Sequence, residues 1–310
     1  MQAVTVSEYG AAPTVTEVPD PKVGEGQILI AVGAAGVNPM DHSIANGGWA
    51  SRMPAVFPLI LGVDLAGVVE AVGPQASRFL PGDDVYGHLV IPPLGSTGTF
   101  SQRVVVTQDA PLARLPAGLD DTIAASLPTT GCTALQLVEP LGSLAGKTVL
   151  VVGASGGVGS LVTQLASQAG GHVIASARTD DDSRVRAYGA DETVDYTAVS
   201  LPEAVSKAHP EGINVLIDVA SDRDQFAALA SMVVPGGTAA TTKYVADVDA
   251  LAKTGVTGIN FRVDFSEDRL EHLADAVMSG RMVPPPITTV KLGDMPGIWA
   301  KAMGKVVVIP

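Results

Sequence analysis

Only one cysteine, Cys132, occurs among the 310 residues. No internal disulfide is possible, and a reducing compartment is expected. The same scarcity excludes a four-cysteine structural zinc lobe. Basic residues are also few: 19 Lys and Arg stand against 32 Asp and Glu, a net charge of −13. That balance argues against nucleic acid or an anionic membrane as the main partner. No apolar run reaches the roughly 18 residues that a membrane span needs. The opening stretch, MQAVTVSEYG, has neither the basic nor the apolar region of a signal peptide and reads directly as a strand, so a cytoplasmic location is expected. Repeats and low-complexity segments are absent too. With 46% hydrophobic and 16% charged residues, the chain is globular and long enough for two domains.

The most informative segment present is KTVLVVGASGGVGS, Lys147–Ser160. A β-branched run ends abruptly in glycines, and the helix-compatible LVTQLASQAG follows. A strand, a tight turn and a helix in that order are the usual setting for a dinucleotide pyrophosphate. Small residues let backbone N–H groups reach phosphate oxygens, and the helix N-terminus adds its positive dipole end. Gly156 and Gly159 fit the second and third glycines of G-x-G-x-x-G, Ala154 stands in place of the first, and Gly157 is an extra. The expected cradle is therefore Ala154, Ser155, Gly156, Gly157, Val158 and Gly159. The bland alternative is a glycine-rich turn with no ligand.

The first third is β-rich, with strand-like TVTEVPD, QILIAVGAAGVN, VDLAGVVEAVG and FSQRVVV between Pro/Gly/Asp turns. From about Leu119 the texture becomes Ala/Leu-rich and helical. Strands and helices then alternate to about Met278, which predicts a doubly wound parallel sheet. The end returns to strand texture in ITTVKL and KVVVIP. The predicted fold is α/β in two domains: residues 1–117 and 284–310 form a β-rich domain, and 118–283 a Rossmann domain. Val283–Pro286 is read as the crossing between them.

NAD sites usually place a carboxylate at the end of the second strand, where it bonds the ribose 2′-OH. Here that strand ends Ala175–Ser176–Ala177–Arg178, with Arg184 a few residues on. A guanidinium suits a 2′-phosphate, so NADP(H) is favoured over NAD. Against this, the acidic run Asp180–Asp182 is expected to neutralise Arg178 in part.

Taken in order, GVNPMD (Gly36–Asp41), PLILGVDLAGVVEAVG (Pro58–Gly73), FLPGDDVYG (Phe79–Gly87), GTFSQRVVV (Gly98–Val106), AASLPTTGCTAL (Ala124–Leu135), VVGASGGVG, YGADETVDY (Tyr188–Tyr196), VLIDVAS (Val215–Ser221), VPGGT (Val234–Thr238) and the terminal GKVVVIP resemble the medium-chain dehydrogenase/reductase superfamily. The likeness is to its zinc-independent quinone oxidoreductase branch and covers nearly the whole chain. It implies a GroES-like β-rich domain, a Rossmann domain, an active site between them and a homodimer. For the dimer contact the candidate is Thr254–Phe265. It also implies hydride transfer from NADPH to a quinone or a conjugated enone or enoyl substrate, with no metal. Asn38 stands where zinc relatives carry a cysteine, and His42 and His88 lack a clear third ligand.

Asn38 matches an asparagine near the reactive ring. It is read either as an amide donor to the substrate oxygen or as a side chain holding its own loop. Asp41 is a helix N-cap or a polar site residue. Ser43 replaces a tyrosine that many relatives carry, and Trp49 offers an aromatic on the next loop, so no tyrosine role carries over. Thr133 matches a threonine near the nicotinamide ribose or phosphate, or is simply helix-interior. Tyr196 matches a tyrosine near the 2′-phosphate, and Asn260–Phe261 match a late loop approaching the nicotinamide. Val219, Ala220, Ser221, Thr241 and Thr242 are strand ends expected to line the cofactor trough, whereas Lys243 reads as a surface lysine. Cys132 is expected to be buried and inert. Two other functions stay open: a cofactor-binding sensor with little turnover, and a reductase of one specialised biosynthetic intermediate.

Overall fold

The computed structural model describes residues 1–301 and 304–310. Its strands are β1 (Gln2–Val6), β2 (Thr14–Glu17), β3 (Gln27–Gly36), β4 (Leu59–Ile60), β5 (Asp64–Val72), β6 (Asp84–His88), β7 (Arg103–Thr107), β8 (Leu112–Arg114), β9 (Thr148–Val152), β10 (His172–Ser176), β11 (Glu192–Val194), β12 (Ile213–Asp218), β13 (Val233–Thr241), β14 (Thr257–Asn260), β15 (Ile287–Lys291) and β16 (Lys305–Ile309). Helices α1 (Pro39–Ala45), α2 (Asp121–Ser126), α3 (Pro128–Val138), α4 (Gly157–Gln168), α5 (Asp182–Ala187), α6 (Leu201–Ala208), α7 (Arg223–Ala230), α8 (Val248–Lys253), α9 (Glu267–Met278) and α10 (Met295–Ile298) connect them. None of the helices is long and apolar enough to cross a membrane.

Contacts divide the chain into two units. The first comprises Met1–Thr129, Phe265–Arg281 and Pro286–Pro310; the second comprises Thr130–Asp264 and Met282–Pro285. These limits differ from the 117/118 and 283/284 boundaries read in the sequence. Helix α2 packs on β3 and β5, and α9 packs on β8. The Tyr86 hydroxyl donates to Leu270 O of α9. Helical texture had suggested that both helices belong with the alternating region, but what they pack against is the antiparallel sheet.

In the first unit a sheet of order β15-β16-β3-β5-β6-β8, with β7 also on β3, is antiparallel except for the β15–β16 pair. Inward residues alternate along β3, including Ile28 and Ile30, and meet Phe79, Phe100 and Leu112 in the core. Register matters most at one place. Gly36 on β3 lies opposite Asp64 on β5, and Asp64 lies opposite His88 on β6. Strand pairing alone therefore sets Asp64 and His88 in one row beside the end of β3. The expected strand FSQRVVV starts only at Arg103.

The second unit carries a six-stranded parallel sheet in the order β11-β10-β9-β12-β13-β14. Renumbered from its own first strand this is 3-2-1-4-5-6, so the strand order reverses between β9 and β12. The interiors of β9 and β12 are buried on both faces, as central parallel strands require. Of the β-compatible Thr254–Phe265 only Thr257–Asn260 forms a strand, and it lies at the sheet edge.

Candidate active site

The glycine turn stands at the switch point of the parallel sheet, directly after β9. Gly153 has φ +83°, a conformation that L side chains rarely adopt, and its carbonyl accepts Gly156 N–H at 3.1 Å. A Cβ on Gly153 would also meet Val219 Cγ2 at 3.0 Å. The left-handed glycine of the turn is thus Gly153, one residue before Ala154, which stands at the first glycine position of the fingerprint. Gly156 caps α4, and a Cβ there would meet only Gly153 O, at 3.3 Å. Gly159 faces inward, where a Cβ would come within 2.1 Å of Gly153 O. It lets α4 sit close on β9, while Gly156 leaves the side of the turn open. The first N–H groups of α4 have no partner within the helix.

Other expected cofactor residues gather at the carboxyl ends of the same strands. Asp218 ends β12, and its Oδ1 accepts from Ala220 N at 2.9 Å and Ser221 N at 2.8 Å. This fixes the Val219–Ser221 turn, while the other oxygen, Oδ2, is buried with no partner among the described residues. Thr242 N–H donates to Asp218 O, and Thr241 Oγ1 accepts from Lys243 N. Ser176 is buried, and its Oγ accepts Gly153 N–H at 2.9 Å, so it braces the glycine turn. Asn260 is held at both ends of its amide by the Ala246 backbone, at 3.0 Å each, and Phe261 N–H donates to Thr241 O. Asn260 is thereby a clasp between two loops. Thr133 is buried within α3, as is Cys132.

Arg178 and Tyr196 are exposed at the ends of β10 and β11, and Arg178 Nε donates to Tyr196 Oη at 3.2 Å. The acidic run takes other partners. Asp181 pairs with Arg184, and Asp182 with Arg186. The expected partial neutralisation of Arg178 persists through Asp181, which together with Tyr196, the larger influence, and Asp195 raises its pKa, although the run's ion pairs go to Arg184 and Arg186. The Asp195 carboxylate accepts from Thr179 and Thr197, from N and Oγ1 of each, which holds its pKa far below the usual range.

The second constellation lies wholly in the antiparallel unit and is buried. Asp64 accepts from Asn38 Nδ2 (2.8 Å), Thr129 N (3.0 Å) and Thr129 Oγ1 (2.8 Å), and its Oδ1 is 2.8 Å from His88 Nδ1. Phe265 stacks on the His88 ring with centroids 3.7 Å apart. Lys305 Nζ donates to Asn38 Oδ1 at 2.9 Å and to Val37 O at 3.1 Å. Desolvation pushes the Asp64 pKa up, but His88, Lys305 and the Thr129 N–H outweigh it and hold it below the ordinary value. Desolvation lowers that of Lys305, against the pull of Asp64 and Asp41.

Asn38 is the N-cap of α1, and Asp41 stands at the third helical position with Oδ2 accepting Asn38 N–H at 2.7 Å. The N-cap reading of Asp41 is corrected accordingly. Both amide hydrogens of Asn38 are engaged, by Asp64 and by Gly36 O, which favours the loop-holding reading over the donor reading. Burial raises the Asp41 carboxyl to about 8, and its Oδ1 has no partner among the described residues. Asp41 also lines a cavity of about 20 Å³ with Ile44, Leu61, Leu89 and Leu94, room for one water. Ser43 is exposed on α1. The sequence reading had passed over Asp64, Thr129 and Lys305; a charged residue in each of two apolar strands was the available signal.

Residues 24–117 match the alcohol dehydrogenase GroES-like domain model, and residues 157–247 match the model described as zinc-binding dehydrogenase. The chain is 31% identical to the mitochondrial NAD(P)H oxidoreductase RTN4IP1 of Mus musculus, over 91% of this chain and 81% of that one. It is also 31% identical to the chloroplastic NADPH-dependent alkenal/one oxidoreductase of Arabidopsis thaliana, over 92% and 71%. The chain belongs to the quinone oxidoreductase branch of the medium-chain dehydrogenase/reductase superfamily. In fold it matches the quinone oxidoreductase from Coxiella burnetii with a TM-score of 0.87 at 24% identity, over 100% of this chain and 99% of that one.

One of the two matching models is named for zinc. The buried constellation does not suit a catalytic zinc, because the Lys305 ammonium sits 2.9 Å from Asn38 Oδ1 and would repel a second cation there. In this oxidoreductase the neutral Asp41 has a consequence for stability. Its folded value of about 8 lies well above the ordinary 3.8 of an aspartate in water, so the native state holds the proton more tightly. That contribution is full below about pH 4 and is lost as pH rises through 8. Urea unfolding of the wild type and Asp41→Asn across this window should show the wild type losing ground to the variant as pH rises. Parallel curves would show that Asp41 is ionised in the fold.

Proposed function

We propose that the chain is an NADPH-dependent reductase that delivers hydride to a quinone or an α,β-unsaturated carbonyl, with no metal in the reaction. The observation that carries this reading is the pairing of an open glycine turn at the sheet's switch point with Arg178 and Tyr196 at the ends of the next two strands, β10 and β11. The names of the mouse and Arabidopsis relatives support a nicotinamide cofactor, and the latter an enone substrate. The residues present fit the cofactor: Gly156 leaves room at the turn, and the nearby Asp195 carboxylate is already hydrogen-bonded to its own loop.

When bound, the reduced nicotinamide supplies the hydride. Backbone N–H groups of Ser155 and of Gly157, Val158 and Gly159 at the start of α4 would hold the pyrophosphate, and Arg178 with Tyr196 the 2′-phosphate. Val219–Ser221 and Thr241–Thr242 would form the walls of the trough. Asp64 and Lys305 keep Asn38 and the start of α1 in place. Of Asn38, Asp41 and Ser43 only Ser43 is exposed, so among these three it is the proposed polar contact to substrate. Water is the proposed source of the product's proton.

NADPH oxidation should be measured with 1,4-benzoquinone and, separately, with an enone such as 3-penten-2-one. Turnover on at least one supports the reading; tight NADPH binding with no oxidation of either would favour a sensor. Arg178→Ala should lower kcat/KM for NADPH by about 10- to 100-fold, the worth of one charged hydrogen-bonding contact, with little change for NADH. An unchanged NADPH-to-NADH ratio would remove Arg178 from the site. We further propose a homodimer in which β14, the short sheet-edge strand, pairs with its copy. Light scattering at micromolar concentration should give twice the chain mass, and a monomer would overturn this.

A further inference from the structure

We infer that His172, Glu192 and His209 form a binding site for a divalent transition-metal ion, Zn²⁺ in particular, unconnected with hydride transfer. The three residues come from three segments of the parallel-sheet unit. His172 opens β10, Glu192 opens β11, and His209 follows the last turn of α6. In the β10–β11 register Glu192 lies beside Ile174, so His172, two residues earlier, projects on the same face. His172 Nε2 is 2.6 Å and His209 Nε2 is 3.1 Å from the same oxygen, Glu192 Oε1. One ligand atom from each residue lies within 4.8 Å of the other two, the one such group found among the described residues. Tetrahedral zinc with bonds of about 2.0–2.2 Å holds its ligands about 3.3 Å apart, so small side-chain rotations suffice.

The surroundings add a second observation. The remaining ring nitrogen of each histidine faces another carboxylate: His172 Nδ1 is 3.6 Å from Asp191 Oδ2, and His209 Nδ1 is 3.6 Å from Glu211 Oε1. These are ion-pair distances rather than hydrogen bonds, and the added negative charge favours a cation between the two rings. Asp191 is itself fixed, because its Oδ2 accepts Val173 N–H at 2.8 Å. The cluster thus gathers three carboxylates around two imidazoles. Two nitrogens and one oxygen suit borderline ions better than Mg²⁺ or Ca²⁺. Three protein ligands leave a position for water.

All three residues stand at the starts of their strands or before one, whereas the glycine turn, Arg178 and Val219–Ser221 stand at the carboxyl ends. An ion here would tie the three-residue edge strand β11 to β10 and to the end of α6.

The test uses untagged full-length protein stripped with a chelator, then titrated with Zn²⁺ against a chromophoric competitor and with Co²⁺ followed by visible absorption. One ion per chain is expected, with the Co²⁺ spectrum of a low-coordinate nitrogen–oxygen site and a raised unfolding temperature when Zn²⁺ is present. His172→Ala, His209→Ala and Glu192→Gln should each weaken binding by at least the about 10- to 100-fold seen when outer-shell groups of metal sites are lost. NADPH oxidation should be the same in wild type and variants, with or without zinc. Binding that is equally tight in all three folded variants would place the ion elsewhere and overturn the assignment, as would no binding by the wild type at micromolar zinc.

Discussion

The carboxylate of Asp64 is the one charge on which the antiparallel unit is organised. It is fully buried, and burying an ionised carboxylate without partners costs several kcal/mol even after the protein relaxes. The cost is met by donors from three other places: the Asn38 amide at the entry to α1, the Thr129 amide and hydroxyl in α3, and the His88 ring on β6. Lys305 adds a positive charge through Asn38. Breaking such a set at one member costs about 3–5 kcal/mol, because the charge left behind stays buried. The ends of β3, β5 and β6, the entry to α1 and the start of β16 are therefore fixed with respect to one another as a group.

The glycine turn obeys a different constraint, that of space. Gly153 must take a left-handed backbone, Gly159 must admit the carbonyl of Gly153, and Gly156 must leave the opposite side clear. Each demand removes a side chain for its own reason. Ser176 and Asp218 then fix the turn and its neighbour by hydrogen bonds to backbone N–H groups. The result is a braced backbone turn at the carboxyl ends of strands that are otherwise mostly apolar and buried.

Much of this was legible in the sequence, and what was hidden follows a pattern. The strand–turn–helix at Lys147–Gln168, the alternation after it and the return to strand at the end are local signals of period and composition, and the structure has these elements in the order read. Which unit α2 and α9 join was not legible, since helix texture says nothing about the surface a helix packs on. The roles of Asn38 and Asp41 depend on Asp64 and Lys305, and register and strand order bring those together from far along the chain. The acids nearest Arg178 in sequence divide their interactions: Asp181 and Asp182 pair with Arg184 and Arg186, one turn away on the same short helical stretch, while Asp181 also acts on Arg178. The triad of His172, Glu192 and His209 was invisible for the same reason, being made by the pairing of two strands and the end of a helix.

Lys305 and Asn38 touch although 267 residues separate them. A ribosome releases Asn38, Asp64, His88 and Thr129 long before the strand that carries the ammonium. Until that strand arrives, the forming unit holds a buried carboxylate without its most distant counter-charge. Closure of the network thus waits for β16, and polypeptides broken off before it leave the buried Asp64 carboxylate without that positive charge.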